Sequence, residues 1–184
     1  MSNAPYTLRY YGDPILRRKA EPIAAVTPEV RELIRGMFEC MYREKGIGLA
    51  APQVGVLRRV FVIDVEDEEG ARIKRALVNP SIARREGSLV GEEGCLSIPG
   101  IRADVKRAAE VLLEGLDEAG APVRIEARGL LSRALQHELD HLDGVLFIDR
   151  LSAIRRKLLE PKLERLRVSE ESDPARSPGT LPSL

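Results

Sequence analysis

The segment that decides how this chain is interpreted reads Gln136-His137-Glu138-Leu139-Asp140-His141. His137 and His141 are the only histidines among the 184 residues. Four residues are about one helical turn, so both imidazoles project from one face of a helix. Two histidines at this spacing, with a glutamate after the first, are typical of metal-dependent hydrolases in which the glutamate is the general base. We therefore predict a metal-binding helix from about Arg128 to Leu142, ended by Gly144.

The rest of the sequence favours an α+β fold around this helix rather than a parallel α/β sheet. Thr27-Pro28-Glu29 provides an N-cap residue, a proline and an acid, which predict the start of an N-terminal helix that Gly46 ends. A further helix begins near Ser152, and we expect Pro161 to break or kink it. The β-rich segments predict strands over residues 59–65 and 73–78 and a hairpin over residues 110–126. We expect antiparallel or mixed sheets built from hairpins, packed around the central metal-binding helix, with helices at both ends of the chain.

Composition excludes several classes of protein. The length of 184 residues and the hydrophobic content of 43% suit one globular domain. The 29 basic and 29 acidic side chains cancel, so the overall charge indicates neither DNA binding nor binding to an anionic membrane. Because we see no signal peptide and no apolar run long enough to span a bilayer, we expect a cytoplasmic protein with reduced cysteines, and we expect a monomer. Residues 1–168 should form a single catalytic domain, followed by a Ser/Pro-rich tail over residues 169–184.

Two histidines do not complete a catalytic metal site, which needs a third protein ligand and an open position for water. Glu160 lies 19 residues after His141, a spacing that suits a zinc metallopeptidase. Cys95 is the other candidate, because a thiolate binds divalent transition metals strongly. These residues leave both alternatives open. Cys40 lies within the amphipathic N-terminal helix and is predicted to be an ordinary buried side chain.

A glycine-rich segment reads Gly46-Ile47-Gly48-Leu49-Ala50-Ala51-Pro52-Gln53. Its first six residues match a variant of the dinucleotide-binding fingerprint. The segment follows a helix instead of a strand, however, and Pro52 does not suit the helix that should begin there, so nucleotide binding is disfavoured. A plain turn after a helix is the simplest alternative. A third possibility is an edge where an extended peptide approaches the backbone closely.

Three segments, in this order, resemble the peptide deformylase family: residues 46–53, residues 93–97 (Glu93-Gly94-Cys95-Leu96-Ser97) and residues 136–144. The resemblance extends over about residues 5–165 and includes Gly12-Asp13-Pro14-Ile15-Leu16-Arg17. It implies a hydrolase that removes the formyl group from the N-terminal formyl-methionine of newly made polypeptides. It also implies that Cys95, His137 and His141 bind Fe(II), which zinc, nickel or cobalt can replace. The ligand types alone would favour zinc.

The resemblance also implies roles for the residues around the ligands. A metal-bound hydroxide attacks the formyl carbon. Glu138 takes the proton of the attacking water and passes it to the leaving amine. The side-chain amide of Gln53 and the backbone N–H of Leu96 stabilise the oxyanion. The residues that pair with the substrate backbone as an added strand are Ile47, Gly48 and Gly94. A zinc metallopeptidase that uses the same helix, with Glu160 as the third ligand, is the alternative.

Further hypotheses concern partners and supporting residues. Basic side chains give the C-terminal helix a charged face: Arg155, Arg156, Lys157, Lys162, Arg165 and Arg167. This face is either an ordinary solvated surface or, as the resemblance suggests, a ribosome-docking surface. Arg102 could orient the loop around Cys95 or the neighbouring Glu93. A non-enzymatic, metal-storing or ribosome-binding homologue is a third hypothesis, but it should lack Glu138, Gln53 or Cys95, and all are present.

Overall fold

A computed structural model of the chain describes residues 6–171. The helices within this range are α1 (Pro28–Arg43), α2 (Gly129–Leu142) and α3 (Ala153–Glu171). The strands are β1 (Gly48–Ala50), β2 (Val60–Glu66), β3 (Arg72–Glu86), β4 (Leu89–Cys95), β5 (Ile98–Arg107), β6 (Glu110–Leu116) and β7 (Pro122–Arg128). Short 3₁₀ helices occupy Pro14–Arg17, Ala51–Val54 and Phe147–Arg150.

The strands form two antiparallel sheets. One sheet has five strands in the order β1-β2-β3-β6-β7, and the other is the β4-β5 hairpin. Every neighbouring pair within the sheets is antiparallel, as expected for strands joined by hairpins. The predicted α+β class is therefore confirmed.

Strand β2 lies at the centre of the core because helices cover both of its faces. Alternate side chains of a strand point to opposite faces, so one set meets α1 and the other meets α2. Members of the cluster on the α1 side are Leu33, Met37, Val60 and Val62. Members of the cluster on the α2 side are Phe61, Ile63, Leu135 and Leu139. Helix α2 is thus held firmly against the sheet by one face, which fixes the position of the side chains on its other faces.

Several predicted elements are confirmed. The hairpin expected over residues 110–126 is formed by β6 and β7. Asp117 Oδ1 accepts hydrogen bonds from the backbone N–H groups of Ala119 and Ala121, which stabilises the turn. The N-terminal helix is α1, although it ends at Arg43, and the residue with left-handed backbone conformation after it is Lys45 (φ 57°) instead of Gly46.

Other parts of the fold were not anticipated. The hairpin β4-β5 escaped prediction because Gly91, Gly94, Pro99 and Gly100 interrupt its apolar pattern. Strand β3 is much longer than the predicted segment over residues 73–78 and continues through irregularities in its pairing with β6.

The break expected at Pro161 does not occur, because α3 continues through this residue. The carbonyl of Lys157 loses its helical N–H partner there, but Lys157 is exposed, so water can bind that carbonyl. Buried Leu163 anchors the helix beyond the proline. Helix α3 reaches Glu171, three residues past the expected domain boundary at residue 168. The remainder of the predicted tail, residues 172–184, lies outside the described residues.

Candidate metal centre

Three side chains meet where α2 lies against the end of β4. Cys95 Sγ lies 3.3 Å from His141 Nε2, and the Nε2 atoms of His141 and His137 are 3.2 Å apart. One ligand atom from each residue lies within 4.8 Å of the other two. Glu160, the alternative third ligand, is exposed on α3 and is not part of this group.

The donor set fits a divalent transition metal. A thiolate and two imidazoles are ligands that zinc and its neighbours bind, and three protein ligands leave a position for water or substrate. Ligand atoms around a tetrahedral ion lie about 3.3–3.8 Å apart, given metal–ligand bonds of about 2.0–2.3 Å. The two measured separations are close to this range. The group therefore has both the chemistry and the spacing of a three-ligand metal site.

Cys95 reaches the histidines because the β4-β5 hairpin is irregular at its tip. The pairing register shifts between Gly94 and Cys95, which turns the thiol towards α2. Gln53 lies beside it, with its Nε2 atom 3.5 Å from Cys95 Sγ. The same Nε2 group donates to Ser97 Oγ at 3.1 Å, and Gln53 Oε1 accepts from the backbone N–H of Ala50 at 2.8 Å. These bonds fix which end of the amide faces the thiol.

Glu93 fixes the orientation of the His137 ring. His137 Nδ1 lies 3.0 Å from Glu93 Oε2, and Glu93 also accepts hydrogen bonds from Arg107 and Arg133. Burial raises the pKa of Glu93, but the hydrogen bonds from Arg107 and His137 outweigh it and hold this pKa well below its usual range. An ionised carboxylate only accepts hydrogen bonds, so Nδ1 of His137 carries the proton and Nε2 is left free to bind a metal.

The second histidine has a different environment. His141 is 1% exposed, and its Nδ1 atom has no hydrogen-bond partner among the described residues. Burial lowers the pKa of His141 well below its usual value. His141 is consequently neutral, which is the state that binds a metal ion.

Glu138 points at the glycine-rich segment rather than at another acid or base. The side chain is buried, and burial raises its pKa to about 7. Its Oε2 atom has no hydrogen-bond partner within the described chain. A Cβ atom on Gly48 would overlap Glu138 Oε1, so a larger residue here would displace the carboxylate from its present position.

The predicted site residues line one open cleft of about 540 Å³. The side chains and backbone of Ile47, Gly48, Gln53, Gly94, Cys95, Leu96, His137 and Glu138 all face it. His141, the third residue of the ligand cluster, is more deeply buried and is absent from this lining. Ile47 and Leu130 are about half exposed at the cleft, so it offers apolar surface as well as polar groups.

The arginines that support the site differ from those suggested by the sequence. Arg102 was expected to orient the Cys95 loop or Glu93; it pairs with Gly94 beside Cys95 and lines the cleft, while its Nη1 donates to Glu92 Oε1 at 3.0 Å at the surface. Glu93 is instead bound by Arg107 and Arg133, which the sequence did not single out. The available signal was weak: Arg107 continues the buried positions of β5, where an apolar residue would be expected.

A family model for polypeptide deformylase matches residues 5–157. The chain belongs to the peptide deformylase family. A curated peptide deformylase from Thermodesulfovibrio yellowstonii is 47% identical over 157 residues, covering 85% of this chain and 95% of that protein. One from Alkalilimnicola ehrlichii is 52% identical over 156 residues, covering 85% of this chain and 87% of that protein.

Solved structures of peptide deformylases share the fold. The structure of the Thermus thermophilus enzyme matches with a TM-score of 0.82 and 41% identity, covering 89% of this chain and 98% of that one. The structure from Synechococcus elongatus, determined in complex with actinonin, matches with a TM-score of 0.80 and 42% identity, covering 90% and 88%. As a peptide deformylase, this chain is a metal-dependent hydrolase that removes the N-terminal formyl group from formyl-methionine of nascent polypeptides.

No helix within residues 6–171 combines the length and apolar character that a membrane crossing requires.

Proposed function

We propose that Cys95, His137 and His141 are the ligands of the single catalytic metal ion. The observation that carries this assignment is the convergence of their ligand atoms within 4.8 Å beside the cleft. When bound, a divalent ion there acidifies water and polarises a carbonyl group. We propose Fe(II) as the native ion, with zinc, nickel or cobalt able to replace it.

Glu138 is the proton carrier in this proposal. Its buried carboxylate lies beside the ligands and has an oxygen that no described side chain or backbone group engages. It takes a proton from the attacking water and delivers it to the methionine nitrogen as the formyl C–N bond breaks. The products are formate and a free N-terminal amine.

Gln53 and Leu96 supply the hydrogen bonds that the oxyanion needs. Because Ala50 fixes the carbonyl end of the Gln53 amide, the N–H end is already directed towards Cys95 before the substrate arrives. The backbone N–H of Leu96 follows Cys95 directly and is the second donor. Donors held in place in this way stabilise the developing charge without reorganisation.

The substrate peptide binds as an added strand between two sheet edges. Strand β1 ends the five-stranded sheet, and β4 belongs to a sheet of only two strands, so both have an edge available. Ile47 and Gly48 lie on one side of the cleft and Gly94 on the other. The half-exposed side chains of Ile47 and Leu130 suit the apolar methionine side chain.

A metallopeptidase is the less favoured function, because Glu160 is exposed on α3. Formate release from formyl-Met-Ala-Ser by anaerobically purified protein, with metal content measured in the same sample, tests the choice. We expect formate release and no cleavage of the unformylated peptide. Cleavage of the unformylated peptide without formate release would contradict the proposal.

We also propose that the protein is a cytoplasmic monomer that docks on the ribosome through α3. Arg155 and Arg156 form ion pairs with Asp104 and Asp149 of the catalytic body, so they hold the helix in place. The exposed cations remaining for a partner include Lys157, Lys162 and Arg165. Replacing these three with glutamate should abolish co-sedimentation with ribosomes at low salt while formate release is kept. Unchanged co-sedimentation would end this part of the proposal.

A further inference from the structure

A chain of ion pairs runs from His137 to the surface of the molecule. Glu93 bonds His137 Nδ1 at 3.0 Å and accepts from Arg107 Nε and Nη2 at 2.8 and 2.9 Å. Arg107 Nη1 donates to Asp140 Oδ2 at 2.5 Å. Asp140 accepts in turn from Arg150 Nε at 3.0 Å and Nη2 at 2.6 Å. We call these five residues the ion-pair chain.

The ion-pair chain is buried except at its outer end. The exposed fraction of the side chain is 3% for Glu93, 4% for Arg107, 12% for Asp140 and 47% for Arg150. Removing charges from water is costly, and apolar side chains of similar volume often stabilise a fold as well or better. Stability alone is therefore a weak reason for burying Asp140 beside Arg107.

The ion-pair chain joins the two elements that carry the metal ligands. Asp140 and His137 lie on α2, three residues apart. Glu93 lies on β4, two residues before Cys95, and Arg107 ends β5 of the same hairpin. Arg107 thus bonds one carboxylate on the hairpin and one on the helix. A shift of Arg107 would move Glu93 relative to His137 and the hairpin relative to α2.

We propose that Asp140 is a positioning residue for the metal centre. Asp140 holds Arg107 in the one orientation in which both Nε and Nη2 reach Glu93, and Glu93 then fixes the ring of His137. Arg150 orients the Asp140 carboxylate from the solvent side through two further bonds. Asp140 acts only through Arg107 and Glu93, as partners of metal-binding histidines commonly do. This inference rests on the proposed ligand set.

The test measures Zn(II) affinity of the full chain by competition with a chromophoric chelator. Asp140→Asn keeps the volume of the side chain and removes its charge. We expect it to raise the Zn(II) dissociation constant by about 10- to 100-fold, the effect typical of losing an outer partner of a ligand. The visible absorption of the Co(II)-loaded variant should also change, because it reports the geometry at the ion.

Asp149→Asn is the matched control. Asp149 also bridges two arginines, Arg17 and Arg156, accepts a bond from the backbone N–H of Leu146, and is similarly shielded with an exposed fraction of 22%, but within residues 6–171 no side-chain bond joins it to the ligands. We expect its Zn(II) affinity to stay within about 3-fold of the parent and its Co(II) spectrum to be unchanged. Equal effects of the two variants, or none, would overturn the positioning role.

Arg150→Gln keeps the test decisive if Asp140→Asn fails to fold. Its half-exposed side chain tolerates the change, and we expect a smaller weakening of Zn(II) binding, of about 3- to 10-fold. No weakening would contradict the proposal.

Cys95→Ser separates this question from the ligand assignment: if it keeps the parent affinity, the ligand set is wrong. If it loses Zn(II) while Asp140→Asn and Arg150→Gln retain parent affinity, only the positioning role is wrong.

Discussion

Two hairpins of this protein have opposite characters. The core hairpin, β6 and β7, buries the consecutive apolar residues Val111, Leu112 and Leu113 in β6, pairs without a register shift, and has a turn closed by Asp117. The metal hairpin, β4 and β5, has a register shift at its tip and buries two opposite charges, Glu93 and Arg107. None of the proposed site residues lies on the core hairpin, whereas Cys95 and its neighbours lie on the metal hairpin. Departure from the local rules of strand formation thus coincides with chemistry.

The largest effect should come from the ligand at the tip of the metal hairpin. We expect Cys95→Ser to lose the metal ion and at least about 1,000-fold in kcat/KM, because several kcal/mol of metal-derived stabilisation disappear. Metal analysis and formate release on the same sample measure this. Glu160→Gln, a change to the rejected ligand candidate, should leave both unchanged. Metal loss in Glu160→Gln with metal retained in Cys95→Ser would reverse the ligand assignment.

A smaller effect is expected at Gln53, which lies in the glycine-rich segment and faces Cys95. Gln53→Ala removes the amide that lies 3.5 Å from Cys95 Sγ. We expect kcat to fall by about 100- to 1,000-fold, as is typical when one oxyanion donor is removed, with the metal content unchanged. Steady-state kinetics and metal analysis distinguish the roles. Loss of metal instead would mean that Gln53 supports the ligand loop rather than the transition state.

A comparably drastic substitution on the core hairpin should lower the stability of the fold and leave catalysis unchanged. Leu113 is fully buried in β6, so Leu113→Ala leaves a cavity and should lower the free energy of unfolding by about 2–5 kcal/mol. Urea unfolding measures this loss. The kcat/KM at a temperature well below unfolding should match the parent. A fall in metal affinity as large as that of Cys95→Ser would show that the two hairpins are not independent.

The smallest effect concerns the ion pair between Arg72 and Asp64 in the five-stranded sheet. This pair should contribute to the stability of the fold and not to metal binding. Hydrogen bonds from Arg72 lower the pKa of Asp64 to about 2, against burial, and Tyr42 donates a further bond. Because this pKa is lowered on folding, its stabilising contribution is complete above the unfolded value of about 3.9 and is lost as the pH falls towards 2. The stability difference between the parent and Asp64→Asn should therefore be constant above about pH 5 and shrink below about pH 4.

Unfolding by urea at several pH values checks this expectation. The Zn(II) affinity of Asp64→Asn at neutral pH should equal that of the parent, in contrast to Asp140→Asn. A stability difference that grows as the pH falls would contradict the role of the Asp64 ion pair.

The contrast between the hairpins also explains what the sequence could and could not predict. Helix α2 and its two histidines were predictable because helical spacing is a local property. The core hairpin was predictable because two β-rich segments flank the turn residues at positions 117–120. The metal hairpin and the pairing of Glu93 with Arg107 were not, since they depend on strand register and on contacts with a distant helix. Cys95 was singled out as a ligand candidate by its residue type and, beyond that, only by resemblance to a family.

The most direct test of the central claim is the metal content and turnover of Glu138→Gln. The variant keeps the size of the side chain and removes its ability to accept and deliver a proton. We predict one metal ion per chain, as in the parent, and a fall of at least about 100-fold in formate release from formyl-Met-Ala-Ser. Near-normal turnover, or loss of the metal ion, would contradict the assignment of Cys95, His137 and His141 as ligands with Glu138 as the separate proton carrier.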